Sequence, residues 1–177
     1  MVGIYPISVG WERKVVSISQ YWKPMAKSDP ILLAEDDENF VELMRRAFQR
    51  ASLPNRLVVA RNGKEAIEYL ESLAASPDRE RYPLPGLLML DLRMPVLDGF
   101  DVLAWLRARP GLQEVPAVML ASACADDDQR KALRLGATEC RTKPCPEELH
   151  ELVRELHRKW LVGEAGGASG AAVSSPL

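Results

Sequence analysis

Short apolar runs alternate with segments of helical period through the middle of the chain. Ile31-Leu32-Leu33-Ala34 is the first run, and apolar positions at Phe40, Met44, Ala47, Phe48 and Ala51 follow it. Leu57-Val58-Val59-Ala60 leads into Ala66, Ile67, Leu70 and Leu73. Leu87-Leu88-Met89-Leu90 leads into Phe100, Leu103 and Leu106. Ala117-Val118-Met119-Leu120 precedes a helix expected from about Asp126 to Leu135, with a polar strand near Glu139 to Arg141. Leu149, Leu152, Val153, Leu156 and Trp160 mark a last amphipathic helix. Such alternation predicts βαβ units and a parallel sheet. The runs lack internal polar positions because central parallel strands are covered on both faces. The expected fold class is therefore α/β, a compact doubly wound sandwich of five β/α repeats over residues 30–161.

Turn residues support the same parsing. Asn62-Gly63 opens the second helix, Pro110-Gly111 ends the third, and Gly136 stands where the fourth should stop. Residues 76–86 contain three prolines and several charges, which predicts a long surface loop. Trp160 and Leu156 are expected in the core. Before the repeats, residues 1–29 have no long periodic segment, carry a net charge of +2, and leave −4 to the remainder. Val15, Val16 and Ile18 fit at most a short strand there, and Met25 offers an alternative start. This zone is read as a flexible extension, with a docking arm as the alternative. Residues 162–177 are rich in Gly, Ala and Ser and read as a disordered tail.

Composition narrows the function. The 177 residues are 47% hydrophobic and 27% charged, enough to bury a core. A net charge of −2 lacks the basic excess of a phosphate-backbone binder, so nucleic acid is not an expected partner. No run approaches the ~20 apolar residues that cross a bilayer, so no membrane is expected either. Three cysteines do not make a disulfide framework, and a reduced cytoplasmic setting is expected.

The polar chemistry gathers at strand ends. The first strand runs into Glu35-Asp36-Asp37, the third into Asp91, the fourth toward Ser122 and the fifth into Lys143-Pro144. In an open α/β sheet, ligands bind at this edge. Three carboxylates crowded together repel one another. A divalent cation removes the conflict, and Mg²⁺ takes hard oxygen ligands while keeping several waters. Asp91 has the chemistry to accept a phosphoryl group on its carboxylate, with Lys143 and the metal neutralising the transferred charge. The plainer alternative is solvated loop acids and helix caps. Asp37 and Glu38 suit a helix N-terminus, and Asp126-Asp127-Asp128 suit another. Cys140, Cys145, His150 and His157 have poor spacing for zinc and read as surface His and a small strand Cys.

With these residues in place, the sequence resembles a response regulator receiver domain of two-component signalling. The resemblance rests on Glu35-Asp36 and on Asp91-Leu92-Arg93-Met94-Pro95-Val96-Leu97-Asp98-Gly99-Phe100. Lys143-Pro144 after Gly136-Ala137 completes it. It covers roughly residues 30–161. The long loop before the third strand, without an output domain, is similar to the single-domain, phytochrome-associated type. The resemblance implies a flavodoxin-like sheet of five strands in the order 2-1-3-4-5 with five helices. It implies that Asp91 is the phosphoacceptor, Asp36 a direct metal ligand, Glu35 a ligand through water and the Arg93 carbonyl a further ligand. Lys143 would bind the phosphoryl group, and the Lys143-Pro144 bond is commonly cis in such proteins. The family's switch Thr or Ser falls on Ala121, with Ser122 its neighbour, and its switch aromatic falls on Cys140.

Function follows from that resemblance. The chain is expected to be a signalling phosphoprotein rather than an enzyme. Its chemistry would be Mg²⁺-dependent formation and loss of an aspartyl phosphate. A histidine kinase or histidine phosphotransfer protein would donate, and an unidentified downstream protein would receive the signal. A homodimer through the fourth helix, fifth strand and fifth helix is a further expectation. Ala121 and Cys140 motivate an alternative, an interaction module without conventional switching. A haloacid dehalogenase phosphatase would need an acid where Arg93 stands. A flavin or dinucleotide site would need a Gly-rich turn where Glu35-Asp36-Asp37 stand.

Overall fold

The computed structural model describes residues 29–78 and 80–162. The extension up to residue 28, with its Val15-Val16-Ile18 segment, and the tail from residue 163 lie outside the described residues. The five expected units appear in order. They are β1 (Ile31–Ala34) and α1 (Glu38–Ala51), β2 (Leu57–Ala60) and α2 (Gly63–Ala75), and β3 (Leu87–Asp91) and α3 (Gly99–Ala108). β4 (Ala117–Ala121) and α4 (Asp126–Arg134), then β5 (Glu139–Thr142) and α5 (Leu149–Leu156), complete the set. All strands are parallel, in the order β2-β1-β3-β4-β5.

Alternation along each strand divides the interior into two layers. Ile31, Leu33, Met89, Val118 and Leu120 face α1 and α5, where Phe40, Met44, Phe48, Leu152 and Leu156 meet them. Leu32, Ala34, Leu88, Leu90 and Met119 face α2 and α3, against Leu70, Val102, Leu103 and Leu106. β1, β3 and β4 are buried throughout, whereas the edge strands β2 and β5 are partly exposed. This is why the central runs are wholly apolar and β5 tolerates the sequence Glu-Cys-Arg-Thr.

Helix starts follow the local chemistry. Asp37 caps α1 through the Asn39 amide, Asn62 caps α2 through the Glu65 amide, and Asp98 and Asp101 form a reciprocal capping box on α3. Gly136, at φ 92°, terminates α4 in the left-handed region, where a Cβ is unfavourable.

Two expectations change. The last helix does not run as α-helix through Trp160; it widens into a π turn over His157–Leu161. The wider turn lets Trp160 donate Nε1–H to Glu139 Oε1 at 3.0 Å while Leu161 stays in the core, so a contact with β5 outweighs regular helix geometry. The Lys143-Pro144 bond is trans, since no described peptide bond is cis. Trans is the intrinsically favoured isomer, and from it the Lys143 amine already reaches its carboxylate partners.

Candidate functional site

Register brings the acids together. Ala34 pairs with Leu90, so Glu35 and Asp91, each one residue further, stand side by side. Asp91 pairs with Leu120, and Ala121 with Thr142, which carries Lys143 to the same edge. The Lys143 amide donates to the Ala121 carbonyl at 2.7 Å and fixes the start of the loop after β5. A cleft of about 280 Å³ opens at this edge. Glu35, Asp36, Asp37, Asp91, Arg93, Ala121, Ser122, Asp128 and Lys143 all contribute to its lining.

Glu35 and Asp91 are buried, whereas Asp36 is exposed at the mouth. One carboxylate oxygen from each of the three lies within 4.8 Å of the others. Lys143 Nζ stands 2.7 Å from Asp91 Oδ1 and donates to Glu35 Oε1 at 2.9 Å. Glu35 Oε2 is 2.7 Å from the same nitrogen but off the angle of a hydrogen bond, and it has no other partner. Asp91 Oδ2 accepts from the Arg93 amide at 2.9 Å. Burial pushes the Glu35 carboxyl above its usual range; Lys143 opposes this and the Asp91 charge adds to it. Burial alone would lower the Lys143 pKa, but its contacts with Asp91 and Glu35 prevail and raise it.

The donor set fits a hard divalent cation. Three carboxylates face one ammonium, leaving excess negative charge, and the buried Glu35 Oε2, though ion-paired, accepts no hydrogen bond. Among the described residues, this is the one convergent group of three or more His, Cys, Asp or Glu. Cys140, Cys145, His150 and His157 form no such group.

The remaining sites divide. Arg93 lines the cleft, and its guanidinium lies 3.6 Å from Asp128. Ala121 is buried at the end of β4 and presents a methyl group, while Ser122 is exposed on the cleft wall. Cys140 lies in the core on β5, away from the cleft lining. Periodicity marks Phe40 only as helix core, yet Lys143 Nζ sits 4.4 Å over the centre of its ring. Its place in the first turn of α4 marks Asp128 only as a helix-terminal charge. No pattern along the chain marks either contact. Gly99 also belongs to the site. A Cβ there would collide with the Asp91 carbonyl and approach Met119 Cε to 2.8 Å, so the tight loop from Asp91 into α3 requires glycine.

Comparison with known proteins agrees with this geometry. The response regulator receiver domain family matches residues 31–154. The chain is 36% identical over 132 residues to the probable methanogenesis regulatory protein FilR2 of Methanothrix harundinacea, covering 74% of this chain and 83% of that one. It is 29% identical over 132 residues to response regulator Rcp1 of Synechocystis, covering 74% and 88%. Among solved structures, the phosphorylated cyanobacterial phytochrome response regulator RcpA superposes with a TM-score of 0.66 at 29% identity, over 76% of this chain and 94% of that one. The Mn²⁺-bound form of Rcp1 gives 0.64 at 27% identity, over 84% and 99%. Fold, acidic cleft and sequence coincide, and the chain belongs to the response regulator receiver domain family of two-component signalling.

Proposed function

We propose that this chain is a stand-alone response regulator that accepts a phosphoryl group on Asp91 and signals through protein–protein contacts. The observation that carries the reading is Asp91 itself, a buried carboxylate joined to Lys143 at 2.7 Å beside Glu35 and Asp36. A carboxylate oxygen of Asp91 attacks phosphorus, and the bond to the donor's imidazole nitrogen breaks. The donor's imidazole carries a proton on its other ring nitrogen before the bond breaks, so it leaves as a neutral group. Lys143 stays protonated at Nζ and faces the new negative charge, and the Arg93 amide orients the acceptor. Asp36 and Asp91 would hold Mg²⁺ directly and Glu35 through a water, with the Arg93 carbonyl as a further ligand. When bound, that ion supplies positive charge to the acids and to the phosphoryl oxygens. The donor is a histidine kinase or a histidine phosphotransfer protein in the cytoplasm, and the modified surface recruits a downstream protein. A homodimer through α4, β5 and α5 is one form such signalling would take. Among the described residues, no helix is long and apolar enough to cross a membrane.

Intact mass spectrometry after incubation with Mg²⁺ and acetyl phosphate tests the reading. One added phosphoryl mass is expected, absent in Asp91→Asn. No addition, or an addition that survives Asp91→Asn, would sink it.

Ala121 favours a second reading. Its methyl lines the cleft where a hydroxyl would contact a phosphoryl oxygen, which suits a module that binds partners without conventional switching. Beryllofluoride separates the two. Amide shifts confined to the cleft lining support the second reading, and shifts reaching α5, which contributes nothing to that lining, refute it.

A further inference from the structure

We propose that Cys124 and Cys140 form a reversible dithiol–disulfide pair that ties the loop between β4 and α4 to β5. Their sulfurs face each other at 2.8 Å, between a half-buried loop residue and a buried strand residue. A disulfide bond is about 2.05 Å long, so closure needs a sulfur displacement of only about 0.8 Å. The residues just before Cys124, Ala121 to Ala123, line the acidic cleft, and α4 begins just after it at Asp126. A bond at Cys124 would therefore hold the cleft wall and the start of α4 to the edge strand. Cys145 is exposed and takes no part in the pair.

The two thiols have unequal roles. Burial, and then the neighbouring Cys124, push the Cys140 thiol up to about 12. Cys124, the less buried of the two, therefore meets the oxidant first. With hydrogen peroxide as oxidant, the Cys124 sulfur attacks one oxygen, the O–O bond breaks, and water leaves. The product is a sulfenic acid at Cys124. The Cys140 sulfur then attacks the Cys124 sulfur, the S–O bond breaks, and the departing hydroxide takes the Cys140 proton as a second water. Two thiols lose two electrons, and one peroxide becomes two waters. A dithiol reductant reverses the bond by exchange. Intracellular disulfides of this kind are characteristically transient and redox-sensing.

The full chain, reduced and then treated with peroxide at neutral pH, is expected to lose two hydrogens by intact mass. Proteolysis should yield a peptide linking Cys124 to Cys140, and dithiothreitol should remove it. Cys124→Ser and Cys140→Ser should each abolish the link, while Cys145→Ser should keep it. Amide exchange over residues 122–126 should slow about tenfold in the oxidised form as local opening is suppressed. Linkage through Cys145 alone, oxidation that stops at a sulfinic acid on Cys124, or unchanged exchange in the linked protein would each overturn the proposal. None of these readouts depends on phosphorylation of Asp91.

Discussion

Lys143 Nζ lies 2.7 Å from Asp91 Oδ1, and the same ammonium also serves Glu35. One half-buried cation is thus shared by two buried carboxylates, with Asp36 close by at the surface. The cleft is short of positive charge by construction, which makes it responsive both to a cation and to an arriving anion bound to that cation.

Removing the ammonium should expose that imbalance. Lys143→Met is expected to lower stability by about 3 kcal/mol without divalent cation, the usual cost of breaking a buried pair from one side. Urea unfolding with and without Mg²⁺ checks this, and Mg²⁺ should restore part of the loss. Equal destabilisation in both conditions would mean that the acids do not share a cation site.

Asp91→Asn removes one of the three ligand charges while keeping the side chain's size. Mg²⁺ affinity should fall by about tenfold, since cation binding depends on ligand charge count. Calorimetric titration of both proteins measures the change. An unaltered affinity would take Asp91 out of the ligand set.

Glu35 makes stability depend on pH in an unusual direction. Its carboxyl is raised above 4.5, so the folded state holds its proton more tightly than the unfolded chain. This contribution is fully present below 4.5 and is lost as pH rises through the raised folded value. Lys143 stays protonated in both states across that window. The stability of wild type relative to Glu35→Gln, measured without metal, should therefore decline as pH rises above 4.5. Parallel pH profiles for the two proteins would contradict the burial of this acid.

Gly99→Ala places a methyl group against the Asp91 carbonyl and Met119. The backbone has to shift at the acceptor, costing about 1–3 kcal/mol as in other overpacked sites. Urea unfolding measures the stability loss, and phosphoryl uptake from acetyl phosphate should slow in parallel. A variant as stable as wild type would show that the loop has room there.

Val96 adopts φ 70° while 74% exposed, in the loop that follows the acceptor. A β-branched residue in the left-handed region is strained by about 1–2 kcal/mol, and Asn tolerates it better. Val96→Asn should raise the urea midpoint by an amount equivalent to roughly 1 kcal/mol. A lower midpoint would argue that the valine makes compensating contacts.

Most of the fold and the acidic core of the site were legible along the chain. Burial on both faces makes the central strand runs apolar, so the periodicity switch marks β1 to β4 and the helices between them, while the polar edge strand β5 is marked only weakly. Strand ends in a parallel sheet share one edge, so the sequence alone groups Glu35, Asp36, Asp91 and Lys143. These inferences use only local pattern and the fixed direction of the strands.

Contacts between packed elements were decided by the tertiary structure alone. Nothing in the spacing of Phe40 announces a ring beneath the Lys143 amine, because that contact needs α1 and the loop after β5 at one height. The π turn after α5 arises from the reach of Trp160 to Glu139 on another element. Cys124 and Cys140, sixteen positions apart, meet only because α4 returns the chain to β5 beside β4. Periodicity records which face of an element is buried; it carries no record of which distant side chain will be buried against it.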